Sequence, residues 1–245
     1  MESEHVSEFK SVEVCYAPIQ FEQYFTGQGV VVVIDVLRAT SAICTAFEHG
    51  VAGIIPVSTI EEAESYRQRG YLVGAERNGE IVDGFSFGNS PYSYMGDEVK
   101  GKTIVLTTTN GTQAIHVSRL AKHVVIGSLI NLNAIVNWLI EKNEDVLILC
   151  SGWKDKFNLE DTICAGAIAE MLIESRKFTY HEDTTVAARY LYKSAKQNYF
   201  GFLRASSHRK RLKKLNLNKD VIYSLTPNQV NNVPILINGV LVNAL

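Results

Sequence analysis

The strongest constraint on this chain is a repeated alternation of short β-branched apolar runs with longer segments of helical pattern. Gly29 opens the run Val31–Asp35, whose apolar residues are all β-branched. Such a run fits a strand buried on both faces, the usual state of a parallel strand under crossover helices. Ser11–Tyr16 alternates apolar and polar residues and also reads as a strand. Further strands are predicted over Ile54–Val57, Leu72–Gly74, Thr103–Thr107, His123–Gly127 and Asp145–Cys150. Helices are predicted between them over Arg38–Gly50, from a Ser58/Thr59 cap to Arg69, then over Gly111–Ala121, Ala134–Lys142 and Leu159–Glu174. Asn78–Ser93 is rich in Gly, Asn, Ser and Pro and reads as a long loop. This rhythm implies a mostly parallel sheet with helices on both faces.

From Thr184 the pattern turns helical, with helices expected over Thr184–Asn198, Phe202–Leu215 and Lys219–Leu225. A late apolar run, Pro234–Leu236, is expected as an edge strand that makes the sheet mixed. The expected organisation is one domain over residues 1–245, with an α/β core to about residue 180 and a helical C-terminal lobe over 181–245. Two lobes with a cleft between them are also compatible with this pattern.

Composition removes several classes of function. A net charge of −2 gives no whole-chain attraction to nucleic acid or anionic membrane, so any anion site is local. The apolar runs are strand-sized, too short to span a bilayer. Met1–Lys10 carries Glu2, Glu4 and Glu8 and lacks the apolar core of a secretory signal. Cys15, Cys44, Cys150 and Cys164 are widely spaced, which argues against a structural zinc site or a disulfide framework and for reduced thiols in the cytoplasm. Phosphate-loop and dinucleotide glycine fingerprints are absent. The sequence leaves oligomeric state open, with a homo-oligomer allowed.

In open α/β sheets ligands gather beyond the carboxyl ends of the strands, and four polar segments fall there. In DVLRATS, Asp35 ends a buried strand, where a carboxylate is costly without a partner or cation. Arg38, Thr40 and Ser41 follow at a helix start suited to an anion; a simple cap with an Asp35–Arg38 pair explains them equally well. In TTTNGT, Asn110, Gly111 and Thr112 could form an anion nest or an ordinary cap and turn. Glu76 and Arg77 precede the long loop; taken alone they read as an exposed ion pair, and in a site as an acid–base group and an oxyanion clamp. Glu160 and Asp161 suit a helix first turn and, beside Asp35, become candidate hard ligands for Mg²⁺. Cys164 reads as packing, and the basic run His208–Lys214 as the solvated face of an amphipathic helix with Leu203, Leu212 and Leu215 inward.

The ordered set DVLRATS (35–41), ER (76–77) with GNSP (88–91), TTTNGT (107–112) and LEDTICAG (159–166) resembles the 2-phosphosulfolactate phosphatase family. The resemblance covers roughly residues 10–240, and it departs from the family pattern at Ala75 and Ser86. It implies a three-layer α/β/α fold and Mg²⁺-dependent hydrolysis of 2-phosphosulfolactate to sulfolactate and phosphate, a step toward coenzyme M. On this reading Asp35, Glu160 and Asp161 hold Mg²⁺. Asp35, Arg38, Glu76 and Asp161 are catalytic, and Glu76 moves the proton. Arg38, Thr40, Ser41, Arg77, Asn110, Gly111 and Thr112 bind the substrate. A phosphatase for another phospho-carboxylic acid and a non-catalytic small-anion binder are the alternatives; nucleic acid and membrane are not expected partners.

Overall fold

A computed structural model describes residues 9–245, and the acidic start with Glu2, Glu4 and Glu8 lies outside the described residues. The strands are β1 (Lys10–Cys15), β2 (Val30–Ile34), β3 (Gly53–Pro56), β4 (Leu72–Arg77), β5 (Glu80–Ile81), β6 (Thr103–Thr107), β7 (His123–Gly127), β8 (Val146–Cys150), β9 (Phe178–Thr179), β10 (Pro234–Ile237) and β11 (Val240–Asn243). The helices are α1 (Phe21–Tyr24), α2 (Ala39–Glu48), α3 (Ile60–Gln68), α4 (Gly111–Ser118), α5 (Leu132–Lys142), α6 (Leu159–Glu174), α7 (Asp183–Ala195), α8 (Tyr199–Phe202), α9 (Ser207–Lys214) and α10 (Asn218–Ser224). Among the described residues no helix is long and apolar enough to cross a membrane.

Strand β2 shows why the fold is layered. Its side chains alternate between faces, as a pleated strand requires. Val30, Val32 and Ile34 join one apolar core with α5 and α6, while Val31 and Val33 join a second with α2 and α4. All five residues of β2 are buried, so the strand is covered on both faces. Leu203, Leu212 and Val221 of the C-terminal segment enter the first of these cores. The result is the expected three-layer α/β/α arrangement.

The sheet order is β5-β4-β6-β3-β11-β10-β7-β2-β8-β1-β9. Its long pairings are parallel, and β5 and the β10–β11 hairpin are antiparallel. The structure overturns the expected edge position of Pro234–Leu236. The hairpin lies inside the sheet, meeting β7 at Ile235–Val125 and β3 at Leu241–Ile54. Pro234 is tolerated because it is the first residue of its strand.

Other boundaries shift for local reasons. β4 continues to Arg77 because Glu76 and Arg77 pair with β5 inside the expected loop. The predicted helix over Phe202–Leu215 breaks into α8, a 3₁₀ turn at Leu203–Ala205 and α9. Ser206 caps the new start, its hydroxyl accepting the Arg209 N–H at 3.3 Å. Thr59 caps α3 as expected, accepting the Glu62 N–H at 3.1 Å.

Candidate active site

Asp35 follows β2 at its carboxyl end and is 8% exposed. Its N–H donates to Thr40 Oγ1 at 3.2 Å, and its carbonyl accepts the Thr40 N–H at 2.9 Å, which fixes the turn into α2. The carboxylate faces the start of α4. A Cβ on Gly111 would stand 3.0 Å from Asp35 Oδ2, so the missing side chain makes room for it. Burial pushes the Asp35 carboxyl up to about 8, with repulsion from Asp161 and Glu76 adding to it; His208 and the Ala39 N–H pull the other way. Such a group is held in want of positive charge.

Asp161, whose charge acts on Asp35, is fully buried. Its carboxylate accepts the Val36 N–H at 2.9 Å, the Gly152 N–H at 3.2 Å and the Asn158 amide at 2.9 Å. These bonds tie the turns after β2 and β8 to the first turn of α6. Burial still pushes its carboxyl up to about 7, helped by Glu160 and opposed by those three donors. The neighbouring Glu160, 1% exposed, accepts from the Ser206 hydroxyl at 3.3 Å and pairs with His208 Nδ1 at 2.6 Å.

One cleft is lined by Asp35, Arg38, Glu76, Asn89, Asn110, Trp153, His208 and Arg211, with Leu37, Asn78, Gly79 and Leu212. Four expected site residues, Asp35, Arg38, Glu76 and Asn110, are therefore brought together. Arg38 is ion-paired with Asp220 at 2.6 Å and donates to the Gly79 carbonyl at 2.8 Å. Glu76 Oε1 accepts the Gly79 N–H, and Oε2 accepts from Asn89 at 3.1 Å and from the Thr109 N–H at 3.4 Å. Asn110 Oδ1 accepts the Lys154 N–H at 3.2 Å.

The remaining expected residues occupy supporting positions. Thr40 closes the Asp35 turn. The Ser41 hydroxyl donates to the Val36 carbonyl at 2.8 Å and lies 2.9 Å from Ser128 Oγ. Thr112 gives its N–H to Thr108 Oγ1 and its hydroxyl to the Thr108 carbonyl, both at 3.1 Å. All three are buried, and the Thr112 N–H, one donor of the expected anion nest, is bonded to Thr108 within its own turn. Arg77 is not part of the cleft lining; its guanidinium donates to its neighbour's Glu76 carbonyl at 2.7 Å and to Thr107 Oγ1 at 3.1 Å. Ser86, where the sequence departs from the family pattern, is exposed and outside the cleft lining.

Sequence reasoning missed Trp153, His208, Arg211 and Asp220. The basic run is only partly the solvated face expected for it: Lys210, Lys213 and Lys214 are exposed, whereas His208 and Arg211 are half-buried in the cleft. A signal was present. His208, Arg211, Leu212 and Leu215 follow the i, i+3, i+4, i+7 spacing of one inward helix face.

The three carboxylates expected to hold a metal do not converge as a ready cage. Among the described residues no three His, Cys, Asp or Glu side chains form a metal-holding group. Glu160 is engaged by His208 and Ser206, and Asp161 by three N–H donors. Of these three, Asp35 lines the cleft, and among the described residues it has no ion-pair partner. Mg²⁺ commonly takes one or two protein carboxylates and completes its shell with water and substrate oxygens. The donor set therefore fits a cation anchored at Asp35.

Comparison with known proteins places this arrangement in a family. The 2-phosphosulpholactate phosphatase family matches residues 15–239. A "Probable 2-phosphosulfolactate phosphatase" of Thermotoga petrophila is 44% identical over 211 residues, covering 86% of this chain and 90% of that protein. A protein of the same name from Caldanaerobacter subterraneus subsp. tengcongensis is 39% identical over 214 residues, covering 86% and 88%. Another from Clostridium acetobutylicum is 40% identical over 211 residues, covering 85% and 89%. With a match across nearly the whole chain and motif residues gathered in one cleft, the chain belongs to the 2-phosphosulpholactate phosphatase family.

Proposed function

We propose that this protein is a Mg²⁺-dependent phosphatase that hydrolyses 2-phosphosulfolactate to sulfolactate and phosphate, in the cytoplasm and in the direction of coenzyme M. The supporting observation is Asp35: a buried, unpaired carboxylate facing a cleft that also holds Arg38, His208 and Arg211. A protein that only bound small anions would gain nothing from that carboxylate, which repels them. Phosphoryl transfer relies mainly on positioning and electrostatics, and these residues supply both. When bound at Asp35, Mg²⁺ would neutralise charge on the phosphoryl oxygens and acidify a water.

The leaving group is an alkoxide, which needs a proton. Glu76 was the expected donor, but both its oxygens accept hydrogen bonds that hold the surrounding loops. His208 suits the task better. Its Nδ1 is held by buried Glu160 at 2.6 Å, which leaves Nε2 as the free ring nitrogen. A ring fixed by a carboxylate in this way is a common general acid or base. The test is phosphate release from 2-phosphosulfolactate, a second phospho-carboxylic acid and p-nitrophenyl phosphate, with chelator and with Mg²⁺. We expect 2-phosphosulfolactate to react fastest, chelation to stop the reaction and Mg²⁺ to restore it. Full turnover in metal-free protein removes the role of the cation, and no phosphate from any substrate leaves a non-catalytic anion binder.

A further inference from the structure

A substrate carrying phosphate and further anionic groups needs more than one cation, and the arginines of this site are not equally free to serve. Arg38 is committed to Asp220 at 2.6 Å, and Arg77 donates to Glu76 and Thr107. Arg211 has no carboxylate within ion-pairing distance among the described residues, and its Nη2 is buried without a hydrogen-bond partner. A buried guanidinium nitrogen left unbonded is costly, and a ligand oxyanion removes that cost. The side chain is also held in place: its guanidinium carbon lies 4.2 Å from the centre of the Trp153 ring, a cation–π contact. Trp153, in the turn after β8, also packs against His208 of α9, with ring centres 5.6 Å apart and the rings tilted. Arg211, Trp153 and His208 line the Asp35 cleft and also an adjoining hollow that contains Lys156 and Ser207.

From this placement we infer that Arg211, on its Trp153 shelf, is the specificity-determining residue that binds the substrate's second, non-reacting oxyanion. The phosphoryl group then lies toward Asp35, and the carboxylate or sulfonate arm lies under Arg211 toward the hollow. A planar fork suits either oxyanion. The inference rests on the proposed phosphatase reading, and its test is built to separate the two.

The experiment measures kcat/KM of the wild type, Arg211→Met and Arg211→Lys on 2-phosphosulfolactate, 2-phospholactate and p-nitrophenyl phosphate, with melting curves to establish folding. Arg211→Met is expected to lose about 10–100-fold more on 2-phosphosulfolactate than on p-nitrophenyl phosphate, the range of one charge-assisted hydrogen bond. Arg211→Lys is expected to recover part of that loss. A similar loss on 2-phospholactate assigns Arg211 to the carboxylate; a loss confined to 2-phosphosulfolactate assigns it to the sulfonate. Equal losses on all three substrates, or none, overturn the inference, as does a Lys variant no better than Met. Calorimetric titration with sulfolactate reads the same residue without turnover. Arg211-dependent binding by a protein that releases no phosphate would sink the phosphatase reading and keep this one. A wild type that fails to bind sulfolactate would end this one.

Discussion

Replacing Asp35 by Asn tests whether the site stores an electrostatic penalty. The ordinary carboxyl value is 3.8, and burial raises Asp35 to about 8. Below about pH 4 the group is protonated in both folded and unfolded chains and contributes no difference. Between about 4 and about 8 the unfolded chain has released a proton that the folded chain retains, so stability falls as pH rises. Above about 8 the penalty is complete. At about 1.36 kcal/mol per pKa unit, that gap corresponds to at most about 6 kcal/mol. Asparagine removes the charge but brings amide donors into the same buried place, at about 1–3 kcal/mol. The variant should therefore be at most about 3–5 kcal/mol more stable than the wild type at pH 9 and no more stable at pH 4. Urea unfolding of both proteins in chelator, from pH 4 to pH 9, measures the gap directly; melting points should separate by about 2–4 °C per kcal/mol. Turnover should fall about 10²-fold or more, the scale of losing a central electrostatic group. Adding Mg²⁺ at pH 8 should raise the melting point of the wild type and leave the variant unmoved. A stability gap that stays constant across pH, or one that favours the wild type at high pH, would refute the reasoning.

Two further substitutions probe the rest of the site. His208→Gln keeps a polar side chain but not a titrating one. It should lower kcat on 2-phosphosulfolactate by about 10²-fold, the lower range for a general acid, and much less on p-nitrophenyl phosphate, whose leaving group needs little protonation. Equal losses would make His208 a binding residue. Cys164 is fully buried, and burial raises its thiol well above the ordinary range, so it is not poised as a nucleophile. Cys164→Ala should retain most activity and lose about 1–2 kcal/mol of stability on urea unfolding; abolished turnover in a folded variant would restore a cysteine mechanism.

The sequence disclosed what depends on neighbouring residues. β2 was legible because a strand buried on both faces needs an unbroken β-branched run, and Asp35 was legible because a carboxylate ending that run is anomalous. Glu76 and Asn110 followed from their places at strand ends. Of the far wall of the cleft, the inward face of α9 was legible from its spacing, but its position against Asp35 was not. Trp153, His208 and Arg211 converge through tertiary packing of α9, and nothing near Asp35 in sequence announces them. The position of the hairpin was missed for a related reason. A short apolar run arriving after the helical lobe suggested an added edge strand, and only the pairing with β7 and β3 reveals that it is flanked on both sides.

That hairpin sets the order of spatial assembly against the order of synthesis. The strands β5-β4-β6-β3 and β7-β2-β8-β1-β9 form two blocks, and among the described residues the strands joining them lie at residues 234–243. A chain emerging from its N-terminus must carry both blocks with facing open edges until those residues arrive. Open edges recruit other strands, and long-range closure is intrinsically slow. The hairpin thus acts as a keystone delivered late in synthesis, and the growing chain is most exposed to mispairing just before it arrives.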